Sequence, residues 1–182
     1  MNIVVTGFAG LEGSLAIYEN NICREKLLNR YSKSFFGIFE NKDAIYADTT
    51  LLDELFCKEA EQGLAADAGE GGVLAALWKV LKERHAGGMY SQKDIPVLQQ
   101  TIEVCEMFAV NPYRLHAPGC RVWLSQDTGK LMQAAAAAGV PCSVIGYTAK
   151  GVAIKRIDTE GDSSLRRPEE DELDKWKRGG LL

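Results

Sequence analysis

A glycine-rich segment in the middle of the chain, residues 63–78 with the sequence GLAADAGEGGVLAALW, constrains the fold most. The apolar residues 64–66 predict a short strand that ends at Asp67. The turn that follows contains three glycines, Gly69, Gly71 and Gly72. Glycine permits tight backbone turns and leaves the amide groups uncovered. From Val73 onward apolar residues recur at helical spacing, so the segment predicts a strand, a turn and a helix.

A helix that begins at a glycine turn can bind an anion, because its first N–H groups are unpaired and its dipole is positive at that end. The turn also carries two carboxylates. We therefore predict a binding site for a phosphate or carboxylate group, formed by Asp67, Gly69, Glu70, Gly71 and Gly72. The alternative is structural: the glycines allow the helix to pack closely on the strand, and an acidic residue such as Glu70 stabilises a helix N-terminus without any ligand.

A second glycine turn, TGFAGLEG, follows the first predicted strand at residues 3–5. Its glycines have the spacing G-x-x-G-x-x-G, whereas dinucleotide-binding folds use G-x-G-x-x-G. The helix after the turn also runs into another helical stretch instead of a second strand. We therefore reject a dinucleotide site, and a weaker anion-binding role for Gly10 and Gly13 stays open.

Length and charge limit the class of protein. The chain has 182 residues, which fits one domain, and its net charge of −4 argues against a general nucleic-acid-binding protein with a basic face. No apolar run is long enough to cross a membrane, and nothing at the N-terminus resembles a signal peptide. We expect a cytoplasmic protein with no nucleic-acid or membrane partner.

The cysteines and histidines predict no metal site. The five cysteines are widely spaced, no C-x-x-C pair occurs, and the chain has only two histidines. Reduced, buried thiols are therefore expected. A nucleophilic role for Cys120 or His116 near the Pro118-Gly119 turn remains a third possibility, which requires a base within hydrogen-bond distance.

Strands alternate with helices along the chain, which predicts an α+β fold with a mixed sheet flanked by helices. Beyond the segments above, helices are predicted over residues 23–39, 51–62, 97–108 and 127–138. Further strands are predicted over residues 89–90, 113–115, 120–125, 142–148 and 151–157, the last two as a hairpin. Residues 1–158 are expected to form one domain, and residues 159–182 a polar tail that is a solvated helix or partly disordered.

Five motifs in order resemble the C-terminal domain of the AIR-synthase-like superfamily: TGFAGLEGSLAI, ADAGEGGVLAAL, DIPV, EMFAVNPYRLHAPG and GVPCSVIGYT. This superfamily includes aminoimidazole ribonucleotide synthase, selenophosphate synthetase, thiamine-monophosphate kinase and the carbamoyl-dehydratase hydrogenase maturation factor. The sequence is most similar to the maturation-factor branch, over residues 3–173. The resemblance implies three α/β/α layers and ATP-dependent phosphorylation of an amide or similar oxygen.

The sequence departs from that family in several places. Maturation factors usually read H-D-x-T-x-G-G where residues 66–72 read ADAGEGG, so the histidine and threonine are missing. Relatives often have Ser-Glu-Gly where residues 117–119 read APG, and their reactive terminal cysteine has no counterpart in residues 177–182. The family's N-terminal domain, which supplies metal and nucleotide motifs and the usual dimer interface, is expected to be absent. ATP and Mg²⁺ are therefore expected only with a partner domain.

Two functions follow as hypotheses. The first is a phosphate-binding half that complements a separate N-terminal ATP-binding half, not catalytic alone and without identified catalytic residues. The alternative is a non-catalytic, self-associating scaffold or protein-interaction domain, in which a homodimer covers the surface left by the missing domain. The candidates for such a surface are aromatic: Tyr18, Phe35, Phe36, Phe39 and Tyr46.

Overall fold

A computed structural model of the protein describes residues 1–41, 45–46, 48–158 and 163–179. Its strands are β1 (Asn2–Thr6), β2 (Ala65–Ala68), β3 (Gly87–Tyr90), β4 (Ala117–Ser125), β5 (Cys142–Ala149), β6 (Ile154–Arg156) and β7 (Ser163–Ser164). Its helices are α1 (Leu11–Glu19), α2 (Asn21–Leu28), α3 (Gly37–Glu40), α4 (Thr50–Glu61), α5 (Gly72–Glu83), α6 (Gln99–Met107), α7 (Thr128–Ala137) and α8 (Glu172–Arg178). Two 3₁₀ turns lie at Gln92–Asp94 and Pro112–Arg114.

The strands form one mixed sheet in the order β2-β4-β1-β5-β3-β6-β7. The pairing of β3 with β6 is parallel, and the other pairings are antiparallel. Strand β1 lies between β4 and β5, and its residues Ile3, Val4 and Val5 are fully buried. An unbroken apolar run suits a strand that is covered on both faces.

Helices cover both faces of the sheet. On one face, Ile3, Val5 and Ile145 belong to the same core cluster as the apolar side of α5. On the other face, Val4 and Trp123 pack with residues of α4 and α7. A third cluster joins α1, α2, α3, α6 and α8. The predicted α+β fold with α/β/α layers is therefore confirmed.

The prediction of one helix over residues 23–39 is wrong. Helix α2 ends at Leu28, and α3 begins only at Gly37. Between them the Ser32 hydroxyl accepts a hydrogen bond from the Phe35 N–H at 3.2 Å. Serine side chains bond the local backbone in this way and so compete with continued helix. The helical spacing of the apolar residues reflects burial on both sides of the break, since Phe36 is fully buried.

The predicted strand over residues 113–115 is instead the 3₁₀ turn Pro112–Arg114. The Asn111 side chain accepts a hydrogen bond from the Tyr113 N–H at 3.0 Å, which turns the backbone. Pro118 and Gly119, predicted as the turn between two strands, lie within β4. The register of β4 against β2 shifts there, between Asp67 and Ala68.

The predicted hairpin over residues 142–157 is also wrong. Strand β3 lies between β5 and β6, with Gly87 paired to Ala149 and Gly88 paired to Ile154. The connection from β5 to β6 passes close to β3, since a Cβ atom at Gly87 would lie 2.6 Å from the Ala153 carbonyl oxygen. Glycine at this position permits that approach.

Part of the polar tail packs on the core. Helix α8 buries Leu173, and Trp176 is partly buried in the same cluster. The predicted domain division at residue 158 stays a prediction. No helix in the described ranges combines the length and the apolar character that a membrane crossing needs.

Candidate functional site

Asp67 lies in β2, opposite Arg121 of β4. Its Oδ2 atom accepts a hydrogen bond from the Gly119 N–H at 2.9 Å and lies 3.7 Å from Arg121 Nε. The carboxylate therefore holds the irregular part of β4 in place. This role explains an acidic residue at the end of β2 without any ligand.

Arg121 joins two carboxylates and an aromatic ring. Its Nη2 atom donates to Asp53 Oδ1 at 2.5 Å, and its guanidinium lies 4.3 Å from the centre of the Phe56 ring. The side chain is only 13% exposed. Sequence reasoning missed Arg121, because its two carboxylate partners are distant in the chain. Asp53 lies in α4, and Asp67 meets Arg121 only through the register of β2 and β4.

Gly71 and Gly72 have positive φ angles of 76° and 69°. A Cβ atom at Gly72 would lie 2.7–2.8 Å from backbone atoms of residues 113–115, and one at Gly71 would lie 2.8 Å from Ala75 Cβ. Both positions therefore require glycine for backbone conformation and close packing. Close packing and backbone conformation are thus sufficient reasons for glycine at positions 71 and 72, with or without a ligand at the turn.

The N-terminal end of α5 already holds an anionic group, the carboxylate of Asp171. Asp171 Oδ2 accepts a hydrogen bond from the Gly71 N–H at 2.6 Å. Its Oδ1 atom accepts from the Leu173 N–H at 2.8 Å and from the His116 N–H at 3.2 Å. The residue is 3% exposed. The chain itself thus provides a negative charge at the positive end of a helix.

Sequence reasoning missed Asp171 because it lies in a segment that reads as a polar tail. The one signal was local: an aspartate directly before a short amphipathic stretch is a typical N-cap, and Asp171 is the N-cap of α8. Nothing in that pattern indicates a bond to a turn 100 residues earlier.

Four of the five predicted residues line one groove of about 600 Å³: Asp67, Gly69, Glu70 and Gly71. Gly72 lies behind them, against residues 113–115. Lys79 of α5 and Arg167 also line this groove, which we call the central groove, and they add positive charge to a lining that includes the carboxylates of Asp67, Glu70 and Glu169. Sequence reasoning missed both cations.

Gly10 and Gly13 do not line the central groove. A Cβ atom at Gly10 would lie 2.6 Å from the Pro112 carbonyl oxygen, and the Gly13 N–H donates to the His116 carbonyl at 2.8 Å. These glycines pack against residues 112–116, which also contact Gly72. The anion-binding role of Gly10 and Gly13 stays a prediction, and the geometry provides a packing reason for both.

The turn carries two carboxylates, Asp67 and Glu70, which are potential magnesium ligands. Mg²⁺ needs several oxygen ligands at short range. In the part of the chain that the structure describes, no three His, Cys, Asp or Glu side chains are grouped suitably for a metal ion. Asp67 already accepts the Gly119 N–H, and Glu70 is exposed.

The thiol of Cys120 is unsuited to nucleophilic chemistry. Cys120 is buried, and burial is the main cause that raises the pKa of its thiol far above the usual range. The thiolate is the reactive form, and burial disfavours it. The possibility of a nucleophile at Cys120 is therefore not supported.

The aromatic residues predicted for self-association are mainly core residues. Tyr18, Phe36 and Phe39 are all buried, and Phe36 stacks on Tyr18 with the ring centres 4.9 Å apart. The Tyr46 hydroxyl accepts a hydrogen bond from the Phe8 N–H at 3.0 Å, and burial raises the pKa of Tyr46 to about 12. The prediction that these rings form a self-association surface is therefore wrong for Tyr18, Phe36 and Phe39, which are buried.

No family model and no curated protein matches this sequence. Among solved structures, the hydrogenase maturation protein HypE of E. coli aligns with a TM-score of 0.65 and 17% identity, over 96% of this chain and 52% of HypE. A HypE structure in complex with ATP aligns with a TM-score of 0.60, 13% identity, and coverage of 94% of this chain and 52% of HypE. PurLQS from Thermotoga maritima aligns with a TM-score of 0.50 and 18% identity, over 93% of this chain and 27% of that one.

Identities of this size show the fold alone. The chain has the AIR synthase-like fold of HypE and PurL, as the sequence resemblance implies. It spans about half the length of the HypE chains.

Proposed function

We propose that this chain is an AIR synthase-like C-terminal half that binds a phosphate-bearing ligand in the central groove and complements a separate N-terminal half. The observation that carries the proposal is the groove itself. Lys79 and Arg167 line it together with Gly69 and Gly71, which directly precede α5. Cations and a helix N-terminus both favour a phosphate group.

The contact of Asp171 with Gly71 supports an anion preference at this turn. A carboxylate and a phosphate carry the same sign of charge and accept hydrogen bonds from the same donors. Asp171 occupies the buried side of the turn, whereas Lys79 is exposed. In our proposal Asp171 remains bound to Gly71, and the ligand binds on the open side between Lys79 and Arg167.

The partner half in this proposal rests on the fold neighbours. The fold neighbour HypE is about twice as long as this chain, and HypE structures include one with ATP and one with HypF. We assign ATP and Mg²⁺ to the partner half, as the family resemblance implies. The expected cytoplasmic location belongs to the same proposal.

Residue-resolved amide NMR during titration with Mg·ATP, carbamoyl phosphate or inorganic phosphate tests the groove. We expect the amide signals of Gly69 and Gly71 to shift in the native chain and to lose that response in Arg167→Gln. The matched control is Arg166→Gln, because the neighbouring Arg166 does not line the central groove. Gly71 itself is a poor target for mutation, since its positive φ strains any other residue.

Thermal unfolding provides a second readout of the same site. A ligand that binds only the folded chain, at a hundredfold over its Kd, stabilises it by about 2.7 kcal/mol. Unmoved glycine signals together with an unchanged midpoint for every ligand would refute phosphate binding at the groove by the chain alone. A titration with the N-terminal half of a HypE-like protein then tests complementation, and no heterodimer would refute it.

The second candidate function, a self-associating scaffold, is favoured by one observation. Val144 and Tyr147 of β5 are apolar residues that are 41% and 47% exposed, although they lie in an interior strand of the sheet. Light scattering distinguishes the two functions. A dimer that dissociates in Val144→Lys supports the scaffold, and a monomer at all concentrations contradicts it.

A further inference from the structure

A second recess lies beside the central groove, on the other side of residues 163–169, which we call the strap. It is a polar cavity of about 400 Å³. Arg114, Arg156 and Arg166 line it, and they come from a 3₁₀ turn, from β6 and from the strap. Among the described residues only Glu169 lines both the cavity and the central groove. The two recesses are therefore separate sites.

Arg156 is held in a fixed orientation. Asp158 Oδ1 accepts a hydrogen bond from Arg156 Nε at 2.5 Å, and Asp158 Oδ2 lies 3.4 Å from Arg156 Nη2. Asp158 Oδ2 also accepts from the Lys93 N–H at 2.8 Å, and the Asp158 side chain is 1% exposed. A buried carboxylate thus binds one edge of the guanidinium, and Nη1 is the nitrogen outside that pair.

Tyr90 is 3% exposed and lines the cavity. No hydrogen bond joins its hydroxyl to the residues that the structure describes, and the oxygen is not fully enclosed by them, so it is available to a molecule in the cavity. Burial is the main cause that raises the pKa of Tyr90, so the hydroxyl keeps its proton and can donate it. An acceptor oxygen in the cavity would satisfy this donor.

The positive charge of the cavity is only partly balanced. Arg114 lies 3.6 Å from Glu169, whose side chain is largely exposed and also lies 3.5 Å from Lys175. Arg166 has no carboxylate within ion-pair distance in the described part of the chain. Like charges that line one recess repel each other, and a bound anion removes that cost.

We propose that this cavity binds a small phosphate monoester, with the phosphate among Arg114, Arg156 and Arg166 and one phosphate oxygen accepting from the Tyr90 hydroxyl. Arginine matches phosphate through paired N–H donors, which makes three arginines from three elements a specific arrangement. The volume lies in the range of small-molecule sites. Four further polar residues line the cavity, beside Leu74 and Leu165, and suit the hydroxyl groups of a sugar-like phosphate ester: Gln92, Asn111, Ser163 and Ser164.

The test is a titration of the whole chain with inorganic phosphate and with glycerol phosphate, followed by residue-resolved amide NMR. We expect shifts at Ser164 and Leu165 and tighter binding of the ester. Removing a charged hydrogen-bond donor in Arg166→Gln should weaken binding at these signals by about tenfold or more. The Tyr90→Phe variant, which keeps the ring, should weaken it about threefold to tenfold.

Arg167→Gln is the matched control, since it removes the same charge one residue away, and it should leave the Ser164 and Leu165 response unchanged. Thermal unfolding of each variant without ligand verifies that it is folded. The proposal is overturned if Arg166→Gln binds like the native chain, if no signal moves, or if only Gly69 and Gly71 respond. That last result would support the central groove, so the two proposals fail separately.

Discussion

Replacing Asp171 by alanine should destabilise the protein strongly, although the residue lies in the polar C-terminal segment. The substitution leaves the buried Gly71 N–H without its acceptor, removes the longer bond to the His116 N–H, and deletes the N-cap of α8. An unpaired buried donor costs about 1–3 kcal/mol, and a lost cap about 1 kcal/mol. With a smaller contribution from His116, the free energy of unfolding should fall by about 2–5 kcal/mol.

Urea unfolding followed by far-UV circular dichroism measures this loss directly. A thermal midpoint about 4–20 °C lower is the corresponding expectation for a chain of this size. Asp174→Ala is the matched control, because Asp174 is an exposed acid in the same helix, and it should cost less than about 1 kcal/mol. If Asp171→Ala and Asp174→Ala unfold at the same urea concentration, the bond between Asp171 and the turn does not stabilise the fold.

Three further predictions test other parts of the structure. In urea unfolding, Gly72→Ala should lower the free energy of unfolding by about 2–5 kcal/mol, because Gly72 has a positive φ and an added Cβ atom would lie under 3 Å from backbone atoms. The control Gly37→Ala has open space around the added Cβ atom and should change that free energy by less than about 1 kcal/mol. The hydrogen bond from Arg156 lowers the pKa of Asp158 in the folded chain, so this pair stabilises the fold fully above about pH 4 and loses its effect as the pH falls through the folded-state pKa. In Asp158→Asn the free energy of unfolding should therefore depend less on pH in that acid range, and an unchanged dependence would contradict this prediction. A thiol reagent should label the exposed Cys57 in the folded chain and the buried Cys120 only on unfolding. Because Cys142 is half-buried, rapid labelling that persists in the double variant Cys57→Ala/Cys142→Ala would be evidence against the packing.

Local sequence patterns predicted the central elements of the fold well. The apolar run in β1 and the helical spacing in α5 are determined by burial within each segment, so periodicity reveals them. The order of strands is different, because it depends on contacts between distant segments. Strand β3 enters between β5 and β6, and the glycines that permit this, Gly87 and Gly88, look like an ordinary turn in the sequence.

In the candidate site, too, local sequence indicates some residues, and others depend on contacts between distant segments. Asp67, Gly69, Glu70 and Gly71 line one groove because they are close neighbours in the chain, and the glycine pattern singled them out; their role in binding stays a prediction. Lys79, Arg167 and Asp171 reach the turn through the path of α5 and of the C-terminal segment. Neither their residue type nor their spacing distinguishes them from other charged surface residues, so they could be found only in the folded structure.

The bond between Asp171 and Gly71 also sets an order of events during synthesis. The two residues are 100 positions apart, so at ribosomal rates the carboxylate is made roughly 5–20 s after the turn. During that interval β2, the turn and α5 have already been synthesised, but the Asp171 carboxylate that binds the N-terminal end of α5 has not. Completion of this turn therefore waits for the synthesis of residue 171, and the nascent chain passes through a period in which the Gly71 amide is open to water or to anions of the cell.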